Sequence, residues 1–131
     1  MSAVNCTVQA LLANAGVKAI VKQNVNPGIA PQNSTLPDLT VTRVSETPQQ
    51  SLKRASGLIE TRVQVECRAK TYTAVDKLGQ AVRAALQDLR GTYAGRKAVF
   101  LAAGSDYDDH ADDASVFRRM IDFYCWHNEP A

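Results

Sequence analysis

The sequence lacks the signatures of most chemistry. Its three cysteines, Cys6, Cys67 and Cys125, stand far apart, with no CxxC pair and no Cys/His knuckle to present four ligands to zinc. They read as reduced thiols. Around Ser105 there is no GxSxG elbow, and GTYAGRK, Gly91 to Lys97, has only three residues between its glycines and no Ser or Thr after the lysine. That spacing excludes the phosphate-cradling loop GxxxxGK[ST], and Gly91 reads instead as a helix stop. The two histidines, His110 and His127, read as solvated. Charge of one sign is missing too: 15 basic residues face 13 acidic ones, a net +2 that is too even for a dedicated nucleic-acid binder. No apolar run is long enough to cross a bilayer, and the opening MSAVNCTVQALLANAG has no basic export signal. The expected place is the cytoplasm, or something assembled there.

What is present suits one domain over 1–131, with 45% hydrophobic residues to build a core. Val4, Val8, Leu11, Leu12 and Ala15 form a stripe of helical period that Gly16 would end. The run from Gln23 to Pro37 holds three prolines and reads as a loop. Leu39 to Val44 reads as a strand, and Ser45 to Gly57 as a polar, flexible connection. From Leu58 to Ala69, apolar Ile59, Val63, Val65, Cys67 and Ala69 alternate with Glu60, Arg62, Gln64, Glu66 and Arg68, the period of a strand with one wet face. Thr73 and Asp76 resemble a capping box, after which Val75, Leu78, Val82, Ala85, Leu86 and Leu89 share one helix face. Lys97 to Gly104 and Val116 to His127 complete the pattern as two strands. The expected fold class is α+β, a four-stranded, mainly antiparallel sheet with helices packed on one face, in α-β-β-α-β-β order.

The last strand is apolar on both sides. Phe117, Ile121, Phe123 and Cys125 point one way, and Val116, Met120, Tyr124 and Trp126 the other, so cover is expected on both faces. For Met120, Tyr124 and Trp126 that cover is either another chain or the Gln23 to Pro37 loop. Between the last two strands lies DYDDHADD, in which Asp106, Asp108, Asp109, Asp112 and Asp113 surround His110. It lacks the offsets and glycine of a calcium loop, and a two-metal site would draw its carboxylates from several elements. A solvated acidic hairpin tip is the expectation, with a metal-dependent hydrolase as an alternative. Without these 5 of its 13 acids the chain would hold 15 basic residues against 8 acidic ones, an acidic tip on a basic body. Such segregation suits head-to-tail contact between copies. Adjacent Arg118 and Arg119 point to opposite faces of a strand and cannot clamp one phosphate together. The expected contact residues are Asp106, Asp108, Asp109, Asp112, Asp113, Arg118, Met120, Tyr124 and Trp126, with no catalytic or metal-binding residue.

The block from Glu60 to Gly91, followed by VFRRMIDFYCWHN, Val116 to Asn128, resembles the tail completion protein family of long-tailed bacteriophages. That family includes tail terminators and tail-to-head joining proteins. Its pattern falls on Val63, Val65 and Ala69, on Leu78, Val82, Ala85 and Leu86, and on Arg119, Asp122 and Phe123; the acidic stretch is not part of it. The resemblance implies a structural subunit of the virion, without catalysis or cofactor. It would assemble as a ring, commonly a hexamer, at the head-proximal end of the tail tube, stopping tube polymerisation. The implied partners are copies of itself, the tail tube protein and a head connector or stopper protein, with DNA passing through without specific binding and no membrane. A head-closure or stopper role is the alternative within the same neck.

Overall fold

The period-two run of Ile59 to Ala69 fixes the centre of the molecule, because a strand with one apolar face must be roofed on that face alone. The structure, a computed structural model, describes residues 2–29, 35–50, 55–103, 106–111 and 115–128. In chain order the elements are helices α1 (Ser2–Ala13) and α2 (Ala15–Val21), strands β1 (Val25–Pro27), β2 (Asp38–Gln50) and β3 (Ala55–Ala69), helix α3 (Tyr72–Leu86), and strands β4 (Arg90–Tyr93), β5 (Arg96–Ala102), β6 (Tyr107–His110) and β7 (Phe117–Asn128). The seven strands form one sheet in the order β1-β2-β3-β7-β5-β4, with β6 also on β7, curled into a half-barrel. The pairing of β1 with β2 is parallel and the other pairings are antiparallel.

This corrects the expected four-stranded sheet in α-β-β-α-β-β order. The missed strands are short: β1 has three residues inside the proline-rich run, and β4 and β6 have four each. None is long enough to display a period. The polar stretch after Val44 is strand as well, since β2 runs on to Gln50 and β3 begins at Ala55. Register shifts between Arg43 and Ser45 and between Pro48 and Gln50 hide it from an alternation test, because each slip moves the side chains to the other face. The expected loop 23–37 contains β1, and its residues 30–34 lie outside the described ones.

β5 and β6 are two parts of one interrupted strand. Ala102 pairs with Phe123 and Tyr107 with Met120, so β7 spends two residues where the facing chain has four. An even slip keeps each side chain on its own face, and the hairpin then closes at Ala111, whose N–H donates to the Val116 carbonyl.

One face of the sheet is roofed. Val63, Val65, Cys67, Ile121, Phe123 and Cys125 join Leu39, Val41 and Phe100 beneath the helices, where α3 contributes Val75, Leu78, Val82 and Leu86. On α1 the buried side chains are Ala3, Cys6, Thr7, Ala10 and Leu11, while Val4, Val8 and Leu12 are only partly covered. The buried stripe is thus rotated toward smaller residues, and the Thr7 hydroxyl is satisfied by the Ala3 carbonyl at 2.6 Å.

Helix ends also differ from expectation for local reasons. Asn14, not Gly16, ends α1: its side chain accepts from the Val17 N–H at 3.0 Å, capping α2 as the axis bends by 88°. Among the described residues no single helix is long and apolar enough to cross a membrane. Thr71, not Thr73, caps α3 by accepting from the Ala74 N–H at 3.1 Å. Past Leu86 the chain turns through Asp88 at φ 59°, and Gly91 lies within β4, where an added Cβ would meet the Tyr93 ring at 3.0 Å. Ala94 and Gly95, at φ 52° and 76°, make the two-residue turn joining β4 to β5.

Replacing Thr71 by Ala should cost about 1 kcal/mol of unfolding free energy in urea titrations, the usual value of an N-cap. Thr73→Ala should change it by less than about half of that, since an exposed residue away from a cap is nearly neutral.

Candidate interaction surface

The unroofed face can be read in rows, because register fixes which residues stand side by side. At one end Asp38, Arg68, Arg118 and Asp109 form a row of four charges across β2, β3, β7 and β6. Arg68 donates from Nε and Nη2 to the two oxygens of the fully buried Asp38, at 2.9 and 2.5 Å. Arg118 donates to Asp109. The next row is Thr40, Glu66, Met120 and Tyr107, and Met120 is only 7% exposed. Then come Thr42, Gln64 and Asp122, with the Asp122 carboxylate accepting from Arg62 Nε at 2.9 Å and from Gln64 at 3.2 Å.

Beyond these polar rows the face turns apolar. Arg62, Tyr124 and Leu101 make one row, with the Arg62 guanidinium 6.0 Å from the centre of the Tyr124 ring. Thr47, Glu60, Trp126, Val99 and Arg90 make the next. Tyr124, Trp126 and Val99 are half-buried and Leu101 is exposed. Alongside them, Arg90, Gly91, Thr92, Lys97, Ala98, Val99 and Trp126 line a groove of about 470 Å³. Aromatic and arginine side chains on an open apolar strip are the composition of binding hot spots.

The acidic stretch is neither a metal site nor a free tip within its described residues. Asp106 accepts from Arg83 on α3, Asp108 from Arg119, and Asp109 from Arg118. Arg119 is the hub: Nε donates to Asp108 at 2.7 Å and Nη1 to Asp76 on α3 at 2.8 Å, and its guanidinium lies 5.9 Å from the Tyr72 ring. Its hydrogen bonds to Asp108 hold that carboxyl below the usual carboxylate range. Space for the side chain comes from Gly79, where a Cβ would stand 2.7 Å from Arg119 Cδ. Among the described residues no three of His, Cys, Asp and Glu converge as metal ligands. Asp112 and Asp113 lie outside the described residues.

The structure therefore separates the residues that the sequence grouped. Tyr124 and Trp126 lie together on the open strip, whereas Met120 stands beside Tyr107 of β6 and is 7% exposed. Arg118 and the described aspartates are engaged within the chain. Val99, Leu101, Arg90 and Lys97 extend the strip. The two apolar ones were legible only as members of the strand expected from Lys97 to Gly104. His127 also corrects its reading: it is 1% exposed, with Nε2 3.2 Å from the Thr61 hydroxyl and Nδ1 3.3 Å from Arg96. The thiols of Cys6, Cys67 and Cys125 are buried, and burial raises all three pKa values, that of Cys125 to about 12.

The profile described as tail completion protein gp17 matches residues 7–128. A chain of the virion of a native gene transfer agent particle superposes with a TM-score of 0.71 at 14% identity, over 96% of this chain and 94% of that one. At that identity the likeness is one of fold. No curated protein matches the chain.

Three outcomes follow from the geometry. Gly79→Ala gains roughly 1 kcal/mol of helix propensity but crowds Arg119, so a net loss of about 1 kcal/mol is expected, vanishing in an Arg119→Ala background. Because the folded Asp108 pKa lies below its ordinary 3.8, its stabilisation is complete above that pH and is lost as the pH falls through the lowered value. Urea titrations should show a gap between wild type and Asp108→Asn that closes in acid. Native protein should react with a thiol reagent only as fast as it unfolds, because a buried thiol of raised pKa offers little thiolate.

Proposed function

This chain belongs to the tail completion protein gp17 family, and from that premise we propose that it forms a ring, a hexamer, at the head-proximal end of a tail tube. There it stops tube polymerisation and joins the tail to the head connector, acting without catalysis after assembly in the host cytoplasm. The observation that carries this reading is the sheet with one face roofed by all three helices and the other open at Leu101, Tyr124 and Trp126. A subunit with an open apolar strip on β7 and β5 has surface left to bury against a neighbour, and head-to-tail contacts between copies that close a cycle would bury it. Of the nine residues first expected at the contact, Tyr124 and Trp126 are the leading candidates. Asp106, Asp108, Asp109 and Arg118 contribute by holding β6 in place, and Met120 by standing beside Tyr107 in the same row.

Passage of DNA through such a ring fits the charge pattern. Along the open face each described arginine of β3 and β7 stands against a carboxylate, Arg62 with Asp122, Arg68 with Asp38 and Arg118 with Asp109. Along β3 and β7, among the described residues, no continuous cationic track is offered to phosphates.

Purified protein mixed with tube protein should give closed rings capping tubes of uniform length in electron micrographs, and loss of the gene should give overlong tails. Heads that leak DNA behind tails of normal length would move the protein to a head-closure role. Monomers that never bind tubes would overturn the reading.

A further inference from the structure

We infer that the bulged segment Val44 to Glu46 on β2 of one copy docks into the groove beside Trp126 on β4 and β5 of the next. The inference rests on the ring reading and specifies its contact. Val44 is the extra residue at the register break between Arg43 and Ser45, and it is 52% exposed, an apolar knob re-aimed by the bulge. Glu46 follows two residues later, its side chain 29% exposed, accepting from the Thr61 hydroxyl and lying 3.9 Å from Arg43. An ion pair that long, with its arginine side chain 58% exposed, is weak enough to be exchanged for a better one.

The groove is the complement of that segment. Its floor is apolar, and its rim carries Arg90 and Lys97, neither of which has an acidic partner among the described residues. A volume of about 470 Å³ accepts a valine side chain with its flanking backbone. Knob and groove sit at opposite edges of the same sheet, four strand spacings or roughly 19 Å apart, so one copy cannot satisfy both. Each copy therefore offers one of each, the condition for a heterologous contact. Backbone pairing at this edge is disfavoured: β1 covers β2 only from Leu39 to Val41, and beyond it stand the bulge and Pro48, which has no N–H to donate. The contact is made by side chains. A nucleic acid suits the groove less well, because Glu60 stands next to Trp126 in the same row.

The test is sedimentation of the full chain, with circular dichroism confirming folding of every variant. Wild type should sediment as a ring, alone or on tube protein. Val44→Arg, on the exposed bulge, and the pair Arg90→Glu with Lys97→Glu, on the exposed rim, should each weaken ring formation at least tenfold. Adding Glu46→Lys to the rim pair should restore it. Val44→Cys with Thr92→Cys should oxidise to covalently linked rings, the native thiols being buried. Rings unaffected by either variant would overturn this contact and leave the ring standing, whereas a wild type that never forms rings would remove both. Loss of oligonucleotide binding in the rim pair, with assembly intact, would reassign the groove to nucleic acid and overturn the inference.

Discussion

One guanidinium decides how the layers sit on each other. Arg119 stands on β7, reaches across the gap left by Gly79, and is shared by Asp76 of α3 and Asp108 of β6. Exposed ion pairs contribute little to stability, typically less than about 1 kcal/mol. This one is different in kind because the arginine side chain is only 13% exposed and its directions are set from two sides. Its effect is positional. It fixes the rotation of α3 above the sheet and holds β6 against the end of β7 that carries Met120. Removing either carboxylate would leave the fold but loosen the frame that presents the open strip.

That arrangement explains why an acidic stretch is compatible with a structural subunit. In isolation, crowded carboxylates repel, and solvation or a bound cation relieves the strain. Here the cations are the chain's own arginines, placed by register on β7 and by helical phase on α3, and they turn charge into a strand. The open strip of Leu101, Tyr124 and Trp126 is left as the surface on which apolar burial by another chain would be most favourable, since aromatic side chains remove the largest areas from water.

Much of this was legible in the residues. The alternation from Ile59 to Ala69 and the helix face of Val75, Leu78, Val82 and Leu86 are strong local signals, and both elements appear, β3 starting three residues before the expected Leu58 and α3 ending at Leu86, short of Leu89. The double-faced last strand was readable too, and Tyr124 and Trp126 are half-exposed on the face away from the helices. What failed did so for physical causes. Strands of three or four residues carry no period, and bulges break the one that β2 would have shown. The pairing of Asp106, Asp108 and Asp109 with arginines far along the chain is a tertiary event with no local trace. His127 looked peripheral because it lies near the end of the sequence, yet β3 and β5 flank it there.

The irregular outer margin of β2 has a further consequence, for how long the protein can wait. Subunits of an assembly accumulate before the structure they finish is ready, and sheets with clean margins tend to stack into fibrils during such a backlog. A kinked margin carrying a proline cannot template cross-β growth. In the ring proposed above, such a margin would keep waiting copies apart until side chains of matching shape and charge receive them.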